Sequence, residues 1–301
     1  MKQLSNLTKV MFCIVAVLLV ITVALGIATA VKDSKANKEG QGNVTPQPTP
    51  STAPEGNGDA QGTPAPVPTG GAEVTPEPPK PTDEPTPTPP AESGRKIALD
   101  PGQQKKANND KEPVGPGATA TTVKMTYGAT SVTTDKREHE WNLSLTLKIK
   151  EELEARGYEV FLTRDTADVD ISNAERAKLA NESGADIYIS IQADAADNTS
   201  ANGIYAQIPT KTNAFVGYMY EDCKQLAQTI QKALIKETGA KDRGLAEQDT
   251  VAAINWSQIP VTVLQLGFMS NKDEDTKLQS ADYQKKLVKA ICDGIDEYFG
   301  E

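Results

Sequence analysis

VTVLQLGF, residues 261–268, is an eight-residue, mainly apolar segment. Its apolar side chains read as a buried strand that ends at a cleft. Gln265 interrupts that run near its end. A strand that runs into a cleft usually presents a group able to do chemistry there, and an amide neither takes up a proton nor carries a charge.

Working outward, strand-like and helix-like segments alternate over residues 95–301. KIALD (96–100) runs into Pro101-Gly102, and a long polar loop rich in Gly, Thr and Asn follows as far as Arg137. Residues 138–156 contain LSLTLKI, which alternates like a strand, but their length, their Glu/Lys content and the stop at Gly157 favour a helix. YEVFLTR (158–164) reads as a strand, and Ser172 with Glu175 forms an S-x-x-E capping box that opens a helix through Asn181. DIYISIQ (186–192) and GIYAQIP (203–209) read as strands, Asn213 to Thr238 as a helix ended by Gly239, and Tyr283 to Phe299 as a closing amphipathic helix. The alternation predicts an α/β domain with a central, mostly parallel sheet and helices on both faces. In such sheets functional groups collect past the carboxyl ends of the strands, which selects Asp100 to Gln103, Gln192 to Asp194 and Gln265 to Gly267.

The remainder of the 301 residues has a different composition. Fifteen of the 20 prolines lie between Pro46 and Pro90, so residues 32–94 are expected to be a disordered, partly polyproline tether. Before it, residues 10–31 carry no charge and are long enough to span a bilayer as a helix, after a short tail, residues 1–9. A membrane anchor is the reading preferred; a cleaved signal peptide with Ala28-Thr29-Ala30 as its processing site is the alternative. Either places residues 95–301 outside the cytoplasm.

Net charge is −10 and the pI near 4.9, with no Lys/Arg cluster, which argues against nucleic acid as a partner. Cys223 and Cys292 fall on predicted helices and read as buried free thiols, with a disulfide as the alternative, while Cys13 lies in the apolar segment. His139, the chain's single histidine, is expected to be exposed near a helix start. The acidic run NKDEDTK (271–277) lacks EF-hand spacing and reads as a solvated helix start. Arg164 and Arg176 read as partners that stabilise the fold, and Gly102 and Gly267 as residues permitting tight turns.

The motifs LDPG, E-x-E-x-N-L, GYEVFLTR, ISNAERAKLAN, SIQAD, INWSQIPVTV, GFMSN and DGIDEYF, in this order, resemble those of zinc-dependent N-acetylmuramoyl-L-alanine amidases. The resemblance covers nearly all of Lys96 to Phe299. It implies an amidase-like three-layer fold, hydrolysis of the bond between glycan and stem peptide in peptidoglycan, and a zinc cofactor. It also implies roles for four positions: histidine ligands where Gln103 and Gln192 stand, a carboxylate ligand at Glu138, and a catalytic glutamate where Gln265 stands. Asp194 replaces the family's usual Asn, and Asp100 and Asp194 are counted with the cleft.

Only Glu138 keeps the expected type. Zinc in a hydrolase is normally held by His, Glu, Asp or Cys with a water in the open position, and neutral amide oxygens are weak donors for it. Without zinc nothing lowers the pKa of the attacking water, and without a glutamate the base is missing, a role worth about 10²–10⁴ in rate. The expectation is an inactive or strongly impaired amidase without bound cofactor, partnered by peptidoglycan, a muropeptide or another envelope protein. The alternatives are an active amidase, with a site rebuilt from Glu138, Asp194 and Asp100 around an oxygen-preferring metal, and an envelope scaffold.

Overall fold

The structure is a computed structural model, and it describes residues 94–301. The expected anchor (10–31) and tether (32–94) lie outside the described residues, apart from Gly94. Among those described, no helix is long and apolar enough to cross a membrane.

Among the described residues, eight strands and six α-helices follow one another: β1 (Lys96–Pro101), β2 (Asn108–Pro113), β3 (Thr121–Met125), α1 (Glu138–Ala155), β4 (Glu159–Leu162), α2 (Asn173–Glu182), β5 (Ile187–Asp194), β6 (Ile204–Ile208), α3 (Tyr220–Thr238), β7 (Asp242–Glu247), α4 (Ala252–Asn255), β8 (Val261–Phe268), α5 (Lys272–Gln279) and α6 (Ala281–Phe299). The main sheet has the order β4-β1-β5-β8-β6-β7. Its pairings are parallel except that between β6 and β8. All eight residues of β8 are buried, as the apolar run demands of a strand covered on both faces.

Period-two alternation divides the core. Ile97 and Leu99 of β1, Ile187, Ile189 and Ile191 of β5, and Leu264 and Leu266 of β8 share one cluster with α1, α3 and α6. Ala98, Tyr188, Val261 and Val263 face the other way, onto Ala177 and Ala180 of α2 and Ala253 and Ile254 of α4. Helices therefore cover both faces. In α1 the buried stripe Trp141, Leu145, Ile149, Leu153 has helical spacing and leaves Leu147 exposed, so the strand-like alternation there is incidental.

The Ser172/Glu175 capping box opens α2 as expected, and α3 ends at Gly239 in the left-handed conformation. Four expectations need correction. The region to Arg137 is not all loop, since β2 and β3 pair as an antiparallel ribbon. The helix expected from Asn213 begins at Tyr220, because the Asn213 side chain accepts from the Phe215 and Val216 amides and caps a separate turn. His139 is buried, and burial and the neighbouring Arg164 and Arg137 charges pull its pKa down although Glu140 opposes them. The acidic run is only partly solvated: Asp275 is fully buried and accepts from Ser131 Oγ, Thr133 N and Thr133 Oγ1 at 2.7, 2.8 and 2.6 Å, tying the loop before α1 to α5. Cys223 and Cys292 are buried free thiols.

Candidate functional site

Register brings the selected strand ends together. Gln192 is paired with Gln265 across β5 and β8, and Gln265 with Tyr205 across β8 and β6. Directly opposed residues share a face, so Gln192, Gln265 and Tyr205 form a row at the carboxyl end of β5 and β8, on the side of α2. Gly102 extends the row on the β1 side: a Cβ there would stand 2.5 Å from Gln192 Cγ. Gly102 has no positive φ, so close approach rather than a turn is what requires glycine; Gly267, at φ 143°, has a conformation that favours glycine but lies within β8 and not in a turn.

Two residues earlier along β1 and β5, on the same face, lies a second polar row. Asp100, opposite Ser190, accepts from Thr163 Oγ1 at 2.5 Å, Ser190 Oγ at 2.7 Å and Arg176 Nη1 at 2.7 Å. Asp100 is 1% exposed and Arg176 0%. Burial pushes the Asp100 carboxyl up, but the Arg176 charge and the three donors outweigh it and hold the group below its ordinary range. Asp100 therefore belongs to the support beneath the cleft and not to its surface. Arg164, also buried, donates to the carbonyls of Pro101, Gly102, Thr166 and His139, binding the end of β1 to the start of α1. Both arginines are fold-stabilising partners, as their positions suggested.

Glu138 opens α1 and is 2% exposed. Its Oε2 accepts from Ala129 N at 2.6 Å and its Oε1 from Asn142 Nδ2 at 3.1 Å, and Asn142 also donates to Gly102 O. Burial raises its pKa to about 7, the Asp194 charge adds to this, and the donors at Ala129, Asn142 and Ala193 oppose it. Gln103 adopts φ 63°, a left-handed conformation uncommon for a side chain of this kind. Glu138 and Gln103 meet at Gly128, where a Cβ would stand against Glu138 Oε2 and 2.8 Å from Gln103 Cγ.

The amides are satisfied by one another. Gln265 Nε2 donates to Gln192 Oε1 at 3.0 Å, Gln192 Nε2 donates to Ser190 Oγ at 3.3 Å, and Ser190 continues the chain to Asp100. Gln103 Oε1 accepts from Thr126 Oγ1 at 3.1 Å. The oxygens at the three expected ligand positions thus accept from protein N–H and O–H groups. One carboxylate and two neutral amides are not a donor set that fits zinc. Among the described residues no three of His, Cys, Asp and Glu are grouped as metal ligands, so Glu138, Asp194 and Asp100 do not form the rebuilt site either. Asp194 accepts from Tyr205 Oη at 2.6 Å and Ala195 N at 2.7 Å.

The structure also adds Tyr205, Arg243 and Phe268 to the rim. The Arg243 guanidinium carbon lies 5.8 Å from the Tyr205 ring centroid and 5.0 Å from that of Phe268. No local sequence signal marks them, since the antiparallel register that sets Tyr205 across from Gln265 joins strands far apart in the chain.

Comparison with known proteins places this geometry. The N-acetylmuramoyl-L-alanine amidase family profile matches residues 97–297. The chain is 30% identical over 164 residues to YqiI of Bacillus subtilis, covering 54% of this chain and 75% of that protein. It is 32% identical over 162 residues to the N-acetylmuramoyl-L-alanine amidase LytC of the same organism, covering 54% of this chain but 31% of LytC. Among solved structures, the amidase Ami1 of Mycobacterium abscessus in its apo form superposes with a TM-score of 0.61 at 25% identity, over 68% of this chain and 99% of that one. The N-acetylmuramoyl-L-alanine amidase of Clostridium difficile 630 gives 0.56 at 26%, over 69% and 97%. With a matched profile spanning the folded region and a sheet that gathers the expected positions at one edge, the chain belongs to the N-acetylmuramoyl-L-alanine amidase family.

Proposed function

We propose that this protein is a non-hydrolytic member of its family, a domain that binds peptidoglycan or its muropeptide fragments at the outer face of the cell membrane without cutting them. The observation that carries this reading is the Gln192–Gln265 hydrogen bond. The side chain at the position of the catalytic glutamate is an amide whose nitrogen is spent on the amide at a ligand position, so the pair offers neither a base nor a metal ligand of the usual kind. The supporting layer below it is intact, with Asp100, Arg176 and Arg164 holding the strand ends in place. Gln265 Oε1 is buried without a hydrogen-bond partner in the protein, leaving an acceptor for a ligand or a water. Residues 10–31 as an anchor and 32–94 as a tether would let the domain reach the wall.

The test is sedimentation of the full-length chain with purified insoluble peptidoglycan, alongside assay of released stem peptide. The proposal expects co-sedimentation without release. Release that a chelator abolishes would instead establish the second reading, an active cell-wall amidase, which family membership favours. Absence from the pellet together with absence of release would count against both and direct attention to an envelope protein as partner.

A further inference from the structure

Arginines in this domain mostly face carboxylates or carbonyls. Arg156 pairs with Glu152, Asp293 and Asp296, Arg176 with Asp100, and Arg95 with Asp186. Arg243 on β7 is exposed and pairs with no carboxylate among the described residues. Its contacts are the Tyr205 and Phe268 rings, the Asn202 carbonyl 3.3 Å from Nη1, and Gly203, where a Cβ would stand 3.1 Å from Arg243 Cγ. Contact with two rings restrains the guanidinium while most of its N–H donors stay unspent.

Arg243, Tyr205 and Ala246 line a groove of about 490 Å³, in the size range of small-ligand sites. Tyr205 lies directly across from Gln265, so the groove begins where the glutamine row ends. The Tyr205 hydroxyl donates its proton to Asp194 Oδ2 at 2.6 Å, so toward the groove it can only accept. Asp194 Oδ1 accepts from Ala195 N at 2.7 Å, and among the described residues Asp194 makes no ion pair with Arg243. The groove therefore offers a charged donor fork beside a neutral acceptor. A carboxylate together with an N–H answers both, which is the chemistry of a peptide unit; an uncharged sugar would leave the guanidinium charge unanswered.

We infer that Arg243 is the residue that anchors a ligand carboxylate, setting the cleft's preference for an acidic peptide over an uncharged one. The inference rests on the muropeptide-binding reading above and names the residue that would give it selectivity. The test is titration of the full-length chain with purified soluble muropeptide carrying free carboxylates, and with the same muropeptide after carbodiimide-driven conversion of its carboxylates to amides. The free-acid form is expected to bind about fivefold more tightly. Arg243→Gln should bind both forms equally, Arg243→Lys should keep part of the preference, and Lys232→Gln, an equal change of charge on α3, should keep all of it. Equal binding of both forms by the native chain would overturn the role of Arg243 while leaving the muropeptide reading standing. So would an unchanged preference in Arg243→Gln, or an equal loss in Lys232→Gln. Binding of neither form would overturn both.

Discussion

Asp100→Ala removes one half of the buried ion pair beneath the glutamine row. Asp100 and Arg176 are 1% and 0% exposed, and Arg176 Nη1 stands 2.7 Å from Asp100 Oδ1. Breaking a buried pair by deleting one partner costs about 3–5 kcal/mol, because the remaining charge keeps its desolvation penalty without its attraction. In the variant Arg176 would retain bonds to the carbonyls of Pro101, Gln103 and Ile171 and to Gln104 Oε1, so the lower end, about 3 kcal/mol, is expected. Urea denaturation followed by tryptophan fluorescence would read this as a lower midpoint at unchanged slope, since Trp141 is fully buried. The pH dependence supplies a second check. The folded pKa of Asp100 is depressed, so the pair's stabilisation is present above the unfolded value of about 4 and is lost as pH falls through the lower folded value. The native and variant curves should therefore converge in acid. A loss below about 1 kcal/mol at pH 7, within the range of an exposed pair, or an undiminished gap in acid, would mean that Asp100 and Arg176 do not stabilise the fold as a buried ion pair.

Glu138 should give the opposite slope. Its folded pKa is raised to about 7 by burial, so its contribution is fully present below the unfolded value and is lost as pH rises through about 7, a change of up to about 3 kcal/mol. Urea midpoints at pH 5, 6, 7 and 8 should fall for the native chain and fall less for Glu138→Gln; parallel curves would contradict the assignment. Gly128→Ala places a Cβ against Glu138 Oε2 and 2.8 Å from Gln103 Cγ at φ +70°, so backbone strain and overpacking together should cost about 2–4 kcal/mol. A thermal midpoint unchanged within about 1 °C would mean that Glu138 and Gln103 do not meet there.

The readable parts of the fold were those whose physics is local. The apolar runs of β5 and β8, the Ser172/Glu175 box and the αL glycine after α3 each carry their signal within a few residues. β2 (NNDKEP) and β7 (DRGLAE) do not, being polar strands with no apolar face to declare them. The antiparallel pairing of β6 with β8 is a property of tertiary register and leaves no mark on either strand alone. At the site, the strand-end rule selected Gln103, Gln192 and Gln265. It could not distinguish Asp100, which turns inward to Arg176, from residues that face the cleft. The burial of His139, Glu274 and Asp275 was equally hidden, because polar residues at helix starts are ordinarily solvated and only their distant partners show otherwise.

On the reading proposed above, Gln103, Gln192 and Gln265 together leave this amidase domain without hydrolysis. The most direct test is stem-peptide release from purified peptidoglycan, with zinc supplied, by the native chain and by a variant carrying Gln103→His, Gln192→His and Gln265→Glu. A silent native protein and release by the variant that a chelator abolishes are expected; chelator-sensitive release by the native chain would mean that the three glutamines do not prevent hydrolysis.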